Sequence, residues 1–578
     1  MNDYSYDNLK RILETERGRK LVAQIKEGYS ELFEGKPIER PSYADFMHIF
    51  DEGGDTRTCD LIDTKRKLRF FCLQILSLVD DKYISDLEEM IDEFCSQYTW
   101  FSSYHGRDNN NQSFNYNQID LDTAFMSALL STTYWIMYDK LRYDIKVRIR
   151  REIERRLIIP FENNPTYFGF GGGERSNWVA TQTYGTGLAY LYVFPERLEL
   201  VKDRLFNSLD AYFSGISDDG YCTEGHGYWA AGFNSVSSFL DSYVDKTKED
   251  ITNITKSEKI LKSVAFGHSS ILKYGYGIPF SDHQDTVEQK ITKSVGHTLI
   301  KRVFGAAYKM YSAYDESDLF TRDENGNLVT NAIVRGENGY HRILSIDTFE
   351  EDKEGGIVEN STYIYPIGGA YIANRDKYSF AAKAGNNAEC HNHNDIGNFA
   401  LYVNGKRIFH DVRSHKYDAI YFDEKYRYTD EVFAASSFGH SVPIIDGKRQ
   451  TQGAKFAGEI VESSDDIFEV NISGAYDLDI STLKVRYELS DDQITVKYFI
   501  NEPTSHSLKL RFITVEEPSI GADGMVDICG VSFRSVQNLP LEMKKVEYLA
   551  HHVEGIAYTL EFDAGSVQNG EFEFEIKI

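Results

Sequence analysis

Several features are scarce or missing in this sequence, and each absence narrows the reading. Its six cysteines, Cys59, Cys72, Cys95, Cys222, Cys390 and Cys529, are scattered without a CxxC pair. That spacing argues against a zinc finger or a disulfide framework, and reduced thiols are the simpler expectation. Long apolar runs are missing: the uncharged run Thr123 to Tyr138 is shorter than the roughly 20 residues a bilayer span needs. The N-terminal MNDYSYDNLKRILETERGRK is charged and has no apolar signal-peptide core. A soluble cytoplasmic protein is expected, a secreted form staying open if a leader has been lost. Positive charge is in deficit, with 63 Lys and Arg against 90 Asp and Glu and a formal net charge of −27. That balance speaks against nonspecific nucleic-acid or anionic-membrane binding. An acidic ligand still fits a locally basic cleft, although long-range steering would not bring it there. Neither a GxxxxGK[ST] loop nor a strand followed by GxGxxG occurs, and there is no low-complexity linker.

What is present is a chain of 578 residues rich in tyrosine and phenylalanine, long enough for more than one domain with a substantial core. Up to about residue 320 the apolar spacing is helical. RKLRFFCLQILSLV, DTAFMSALLSTTYWIMYDKL, ATQTYGTGLAYLYVF and NSVSSFLDSYV repeat at three and four residues. Several are apolar nearly all round, which suits layered helices. Breaks fall at GRDNNNQ and FGFGGGERSN. After about residue 340, YSFAAKAG, GNFALYV, KVRYEL, QITVKYFI, LKLRFIT and GEFEFEIKI read as strands. NGKR and DGKR supply hairpin turns, Asn404-Gly405 carrying a strong type I′ signal. The expected organisation is a helical domain, 1–330, followed by an antiparallel β domain, 331–578, with the switch near Thr321 to Asn331. Paired helices of similar length are consistent with a toroid of helical hairpins.

The β half contains HNHNDIGNF, His391 to Phe399. Read as a strand, it would put His391, His393 and Asp395 on one face. The hairpin of GNFALYV with KRIFHDV would bring Asp411 back toward His393, and FGHSVPIIDGKRQ offers His440 before another strand. Two imidazoles and a carboxylate can hold zinc with one position open. An ordinary hydrogen-bonded His393–Asp411 pair with His440 capping a strand is an equal alternative on spacing alone. Between these segments YDAIYFDEKYRYTDEVFAASS is crowded with tyrosines, most of them expected to pack. In the helical half, ERSNWVATQ opens a helix, where Ser176 or Asn177 could simply be the N-cap. DDGYCTEGHGYWAAG places Glu224, His226 and Tyr228 in an expected glycine-punctuated loop.

Taken together, SNW at Ser176–Trp178, EGHGY at Glu224–Tyr228, HNHNDIGNF, FHD ending at Asp411, Arg427–Tyr428 and GHSVPIIDG from Gly439 resemble the heparinase II/III-like polysaccharide lyases. The resemblance spans about half the chain in the same order. It implies an incomplete (α/α) toroid joined to a β-sandwich, the active site between them, and β-elimination at a uronic acid. It makes Tyr228 the acid and base, Asn177 and His391 the donors that neutralise the substrate carboxylate, and Tyr428 a second cleft tyrosine. Arg175, Glu224, His226 and Arg427 would then be substrate-binding, with Arg175 and His226 as cationic neighbours for Tyr228. His393, Asp411 and His440 would hold one divalent metal, zinc before manganese, that keeps the β-domain loops in place. Asp395 is left for a hydrogen bond to a histidine. The expected partner is an acidic glycan, of glycosaminoglycan type rather than alginate, because Trp178 follows Asn177 where alginate-acting relatives tend to carry histidine. No nucleic acid or membrane partner is expected, and a homo-oligomer stays open. Two other readings remain: a hydrolase using paired acids such as Glu224 and Asp219, and a noncatalytic glycan-binding protein.

Overall fold

The structure is a computed structural model that describes residues 4–42, 44, 57–101, 119–163, 175–282, 295–308, 319–322, 326, 328–330, 338–351, 358–415, 417, 419–550 and 553–578. The expected breaks at GRDNNNQ and FGFGGGERSN fall mainly outside the described residues, as does the middle of Thr321 to Asn331. Two compact units interleave along the sequence. The first comprises Met1–Gly215, Ala230–Leu261 and Lys293–Gly355; the second comprises Ile216–Trp229, Lys262–Thr292 and Gly356–Ile578. Among the described residues, no helix is long and apolar enough to cross a membrane.

The first unit is helical. Helix Asn177–Tyr192 is buried at every position, as its all-round apolar sequence requires. It packs against Leu121–Ile136 on one side and Leu198–Ser214 on another. Gly185 permits the first of these contacts, since a Cβ there would lie 2.3 Å from the Ala124 carbonyl oxygen. Gly187 likewise receives the ring of Phe239. Helix Gly339–Glu351, beyond the sequence switch, belongs to this unit and packs on Val295–Phe304.

The second unit is an antiparallel sandwich. One sheet of five strands runs in the order Ser361–Tyr365, Ala370–Asn374, Tyr378–Lys383, Phe399–Val403, Lys406–Phe409. The other is built on two long strands, Gln493–Thr514 and Val553–Lys577, that pair antiparallel. Leu483–Leu489 alternates buried and half-buried residues along its length, the period-two pattern of a strand with one face in the core. Tyr371, Phe380, Phe399 and Leu401 from one sheet meet Val470, Tyr487, Val496, Phe512 and Phe574 from the other in a single core. Asn404 and Gly405 have φ of 49° and 78°, and Asp446 and Gly447 have 50° and 68°. Both expected turns therefore have the paired positive φ that type I′ needs.

Candidate functional site

HNHNDIGNF is not a strand. Residues 391–398 form an irregular loop, and the strand starts at Phe399. His391 has φ of 56°, which breaks the alternation that would have aligned it with His393 and Asp395. The asparagines, not a sheet ladder, fix this loop. The Asn394 side chain donates to the Gln450 carbonyl, and Gln450 in turn bonds both backbone groups of Ile396. Asn392 accepts from the Tyr428 hydroxyl at 3.2 Å. Asn398 donates to Asp411 Oδ1 at 2.5 Å and accepts from Ser441 N–H at 2.9 Å.

The loop separates its two histidines by environment. The His391 side chain is 25% exposed and that of His393 is 1% exposed, so His391 is the one able to meet a ligand. The ring of His391 lies parallel to that of Tyr228, centroids 3.7 Å apart and planes at 9°. Glu224 Oε2 is 3.9 Å from His391 Nε2. Glu224 immediately precedes helix Gly225–Thr247, and His226 and Tyr228 occupy its first turns; the expected loop is thus a helix start. Gly225, at φ of 86°, enables the entry into that helix. His226 is turned to packing: its Nδ1 lies 2.7 Å from Ser270 Oγ, and its ring faces Trp229.

Asp282 joins these groups. Its Oδ2 lies 2.8 Å from His391 Nδ1 and its Oδ1 3.1 Å from His393 Nε2. It also accepts from the Tyr421 hydroxyl, and Arg427 Nη2 approaches at 3.5 Å. Burial would raise the Asp282 carboxyl, but hydrogen bonds from both histidines and the Arg427 charge hold it well below the usual carboxylate range. Arg427 donates to Tyr421 at 2.7 Å, and its guanidinium lies 4.3 Å from the Tyr421 ring centre and 5.3 Å from that of Tyr428. Tyr417 places its hydroxyl 2.5 Å from that of Tyr228. Burial raises the Tyr428 hydroxyl against the lowering pull of Arg427.

His393, Asp411 and His440 form a second, fully buried group whose candidate ligand atoms all lie within 4.8 Å of one another. His440 Nδ1 lies 2.7 Å from Asp411 Oδ1, while its Nε2 lies 2.9 Å from the Ala434 carbonyl. His393 Nε2 is engaged by Asp282. That leaves Nδ1 of each ring as the atom that could ligate a metal, the other nitrogen being oriented by an oxygen. Among the described residues, His393 Nδ1 and Asp411 Oδ2 are buried without a hydrogen-bond partner, the state expected of atoms meant for a cation. The three residues therefore fit a divalent metal with N/O preference.

Asp395 does not bond a histidine as expected. Its Oδ1 accepts from Lys383 Nζ at 2.7 Å, and both side chains are buried. A carboxylate at that depth needs a full charge partner, which an imidazole already shared elsewhere does not supply. Asp219 is likewise committed: Oδ2 accepts from the backbone of Ile367 and Gly368 at 2.8 and 3.0 Å. In the first unit Ser176 is the N-cap, accepting from Trp178 N–H, and Asn177 is the first helical residue. Arg175 precedes it as an exposed turn residue.

The structure thus groups Tyr228, His391, Glu224, Arg427 and Tyr428 through Asp282 and its neighbours, with the metal trio alongside. Sequence reasoning missed Asp282, Tyr417, Tyr421 and Asn398. Asn398 stood within the quoted stretch, but a lone aspartate in IPFSDHQ and two tyrosines among many carry no spacing signal.

No protein-family model matches the sequence, and no curated protein matches it. Solved structures do match its fold. A heparinase III aligns with a TM-score of 0.60 at 12% identity, over 96% of this chain and 91% of that one. A Paenibacillus xanthan lyase aligns at 0.56 and 10% identity, over 99% of this chain and 59% of that one. A Streptomyces coelicolor A3 chondroitin AC lyase in complex with chondroitin sulphate aligns at 0.52 and 11% identity, over 99% and 82%. The chain has the fold of these polysaccharide lyases, an α/α toroid with an antiparallel β-sandwich.

Proposed function

We propose that this chain is a polysaccharide lyase that cleaves 4-linked uronate glycans by β-elimination. The observation that carries the reading is the parallel stack of Tyr228 on His391, with Asp282 bonded to His391 Nδ1. A phenol ring and an imidazole ring are thereby held face to face, a base and a donor on adjoining side chains. In the reaction the Tyr228 phenolate takes the C5 proton, and the electron pair left on C5 forms the C4=C5 double bond. The C4–O bond breaks, and the leaving oxygen takes a proton from the Tyr228 hydroxyl, which restores the phenolate. Charge building on the substrate carboxylate meets His391 Nε2, held for that task by Asp282. Arg427 gives the cluster its full positive charge, and Tyr428 is the further hydroxyl available to sugar. For Asn177 and Arg175 the support is the sequence resemblance alone.

We assign a divalent metal, zinc before manganese, to His393, Asp411 and His440. When bound it supplies fixed positive charge that ties three loop segments together. Among substrates, glycosaminoglycan-type oligosaccharides are favoured over alginate by Asn177-Trp178, and a neighbour of the same fold holds chondroitin sulphate. The hydrolase reading loses support because both Asp219 oxygens serve the backbone or Ser217.

The test is a panel of uronate oligosaccharides followed by ultraviolet absorbance and mass. The wild type should produce the absorbing unsaturated uronate, and Tyr228→Phe should lower turnover by about 10²–10⁴-fold. Sugar release without the absorbing product, abolished by Glu224→Gln but kept in Tyr228→Phe, would replace elimination with hydrolysis. Binding without any turnover would leave a glycan-binding protein.

A further inference from the structure

Tyr228 has to be ionised at the start of the proposed reaction, yet a free tyrosine holds its proton to a pKa near ~10. Charged groups around it pull in both directions. Glu224 and Asp282 bring negative charge to the His391 ring stacked on it, and Arg427 brings positive charge beside Asp282. His391 covers one face of its ring. Tyr421 stands behind Tyr417, ring centres 4.8 Å apart. The Tyr417 hydroxyl lies 2.5 Å from the phenol oxygen itself.

We propose that Tyr417 is a positioning residue for Tyr228: its hydroxyl donates to the Tyr228 oxygen, aims it, and stabilises it as a phenolate. The role in turnover rests on the lyase reading; the hydrogen bond and its effect on Tyr228 do not.

Three observations support the pair, and the second sets the direction of donation. The O···O separation falls in the range of a hydrogen bond to an ionised oxygen, which runs about 2.5–2.7 Å. Burial pushes Tyr417 well above an ordinary phenol and the Asp282 charge adds to this, which holds Tyr417 in its protonated, donor form. The stack on His391 prevents the Tyr228 ring from swinging away. Tyr417 moves no proton of its own through the cycle. It donates to the phenolate before C5 deprotonation and to the same oxygen again once the leaving group has been protonated.

The experiment is Tyr417→Phe in the full chain, which removes one hydroxyl and keeps the ring. With an active uronate substrate, kcat should fall by about 10-fold with KM changed less than about 2-fold, a charge-assisted bond being worth about that much. The rising limb of the kcat–pH profile should move up by about one unit. A second readout needs no substrate: the ¹³Cζ resonance of Tyr228, identified by its loss in Tyr228→Phe, should titrate at higher pH in Tyr417→Phe than in the wild type. A shifted resonance in a protein that produces no unsaturated uronate supports the pair and sinks only the lyase reading. An unshifted resonance overturns the proposal whether or not the protein is a lyase. A rise in KM with kcat and the pH profile unmoved overturns it too, because Tyr417 would then be binding sugar.

Discussion

At Asp282 a single carboxylate faces His391 through one oxygen and His393 through the other. The two rings are not interchangeable. His393 is enclosed with Asp411 and His440, whereas His391 is partly open and stacked on Tyr228. His393→Ala should therefore lose bound metal, and His391→Ala should keep it and lose turnover. Metal content by elemental analysis together with product absorbance checks the pair; full retention of both in both variants would break the division. Asp282→Asn should do both kinds of damage at once. An oxygen that orients a ligating histidine is worth about 10–100-fold in metal affinity. The same substitution also removes the anion beside His391 and leaves half-buried Arg427 short of a charge partner. Competition with a chelator reads the first effect, and kcat reads the second. Wild-type metal affinity in Asp282→Asn would show that the Asp282–His393 contact does not orient the ligand. The histidines were legible because two of them alternate in one short run. Asp282 was not, because its partners lie more than a hundred positions away and only the fold brings them in.

The 391–398 loop rests on a buried charged platform, and that platform has its own pH dependence. Lys383 lies 2.7 Å from Asp395 and 3.8 Å from Glu389, whose side chain is 6% exposed. Burial pushes Glu389 up to about 7, against the lowering pull of Lys383. A carboxyl raised on folding makes the folded state bind more protons than the unfolded one between its two pKa values. Its stabilising contribution is thus complete below about 4.3, the ordinary glutamate value, and is lost as pH rises through about 7. The amount at stake is at most about 4 kcal/mol. Glu389→Gln removes the titration, so its stability relative to wild type should rise from pH 5 to pH 8 in urea unfolding. A difference that stays flat over that window would show that Glu389 is ionised throughout. At this scale the turns were legible and the loop was not. Asn404-Gly405 and Asp446-Gly447 dictate their own φ, whereas alternating polar residues mimic a strand unless their hydrogen-bond partners are known. The glycine-dotted EGHGY stretch misled in the other direction, since Gly225 is a helix entry rather than part of an extended loop.

Across the whole chain, periodicity revealed a helical part and a strand part, because each follows from which side chains face a core. It did not reveal that residues 216–229 and 262–282 pack with the sandwich, or that helix Gly339–Glu351 packs with the helices. Period identifies an element but not the core it joins. Charge is a property of the whole chain, and here it conflicts with the proposed substrate. A chain of net charge −27 repels a polyanionic glycan at long range, while Arg427 and the histidines of the site attract it only nearby. Screening weakens interactions beyond a Debye length of about 8 Å at physiological ionic strength and leaves close, partly buried contacts largely intact. Added salt should therefore relieve the repulsion more than the attraction. For a long glycosaminoglycan, kcat/KM should rise as ionic strength goes from about 0.01 to 0.15 M, the opposite of an electrostatically steered encounter. A short oligosaccharide carries fewer charges and should respond less, which separates long-range repulsion from a salt effect on the site itself. Initial rates at low substrate, read by the absorbance of the unsaturated product, measure this directly. If kcat/KM for the polymer falls with salt as steeply as for a basic enzyme, a positive surface path must guide the glycan in, and net charge would be the wrong scale at which to argue its arrival.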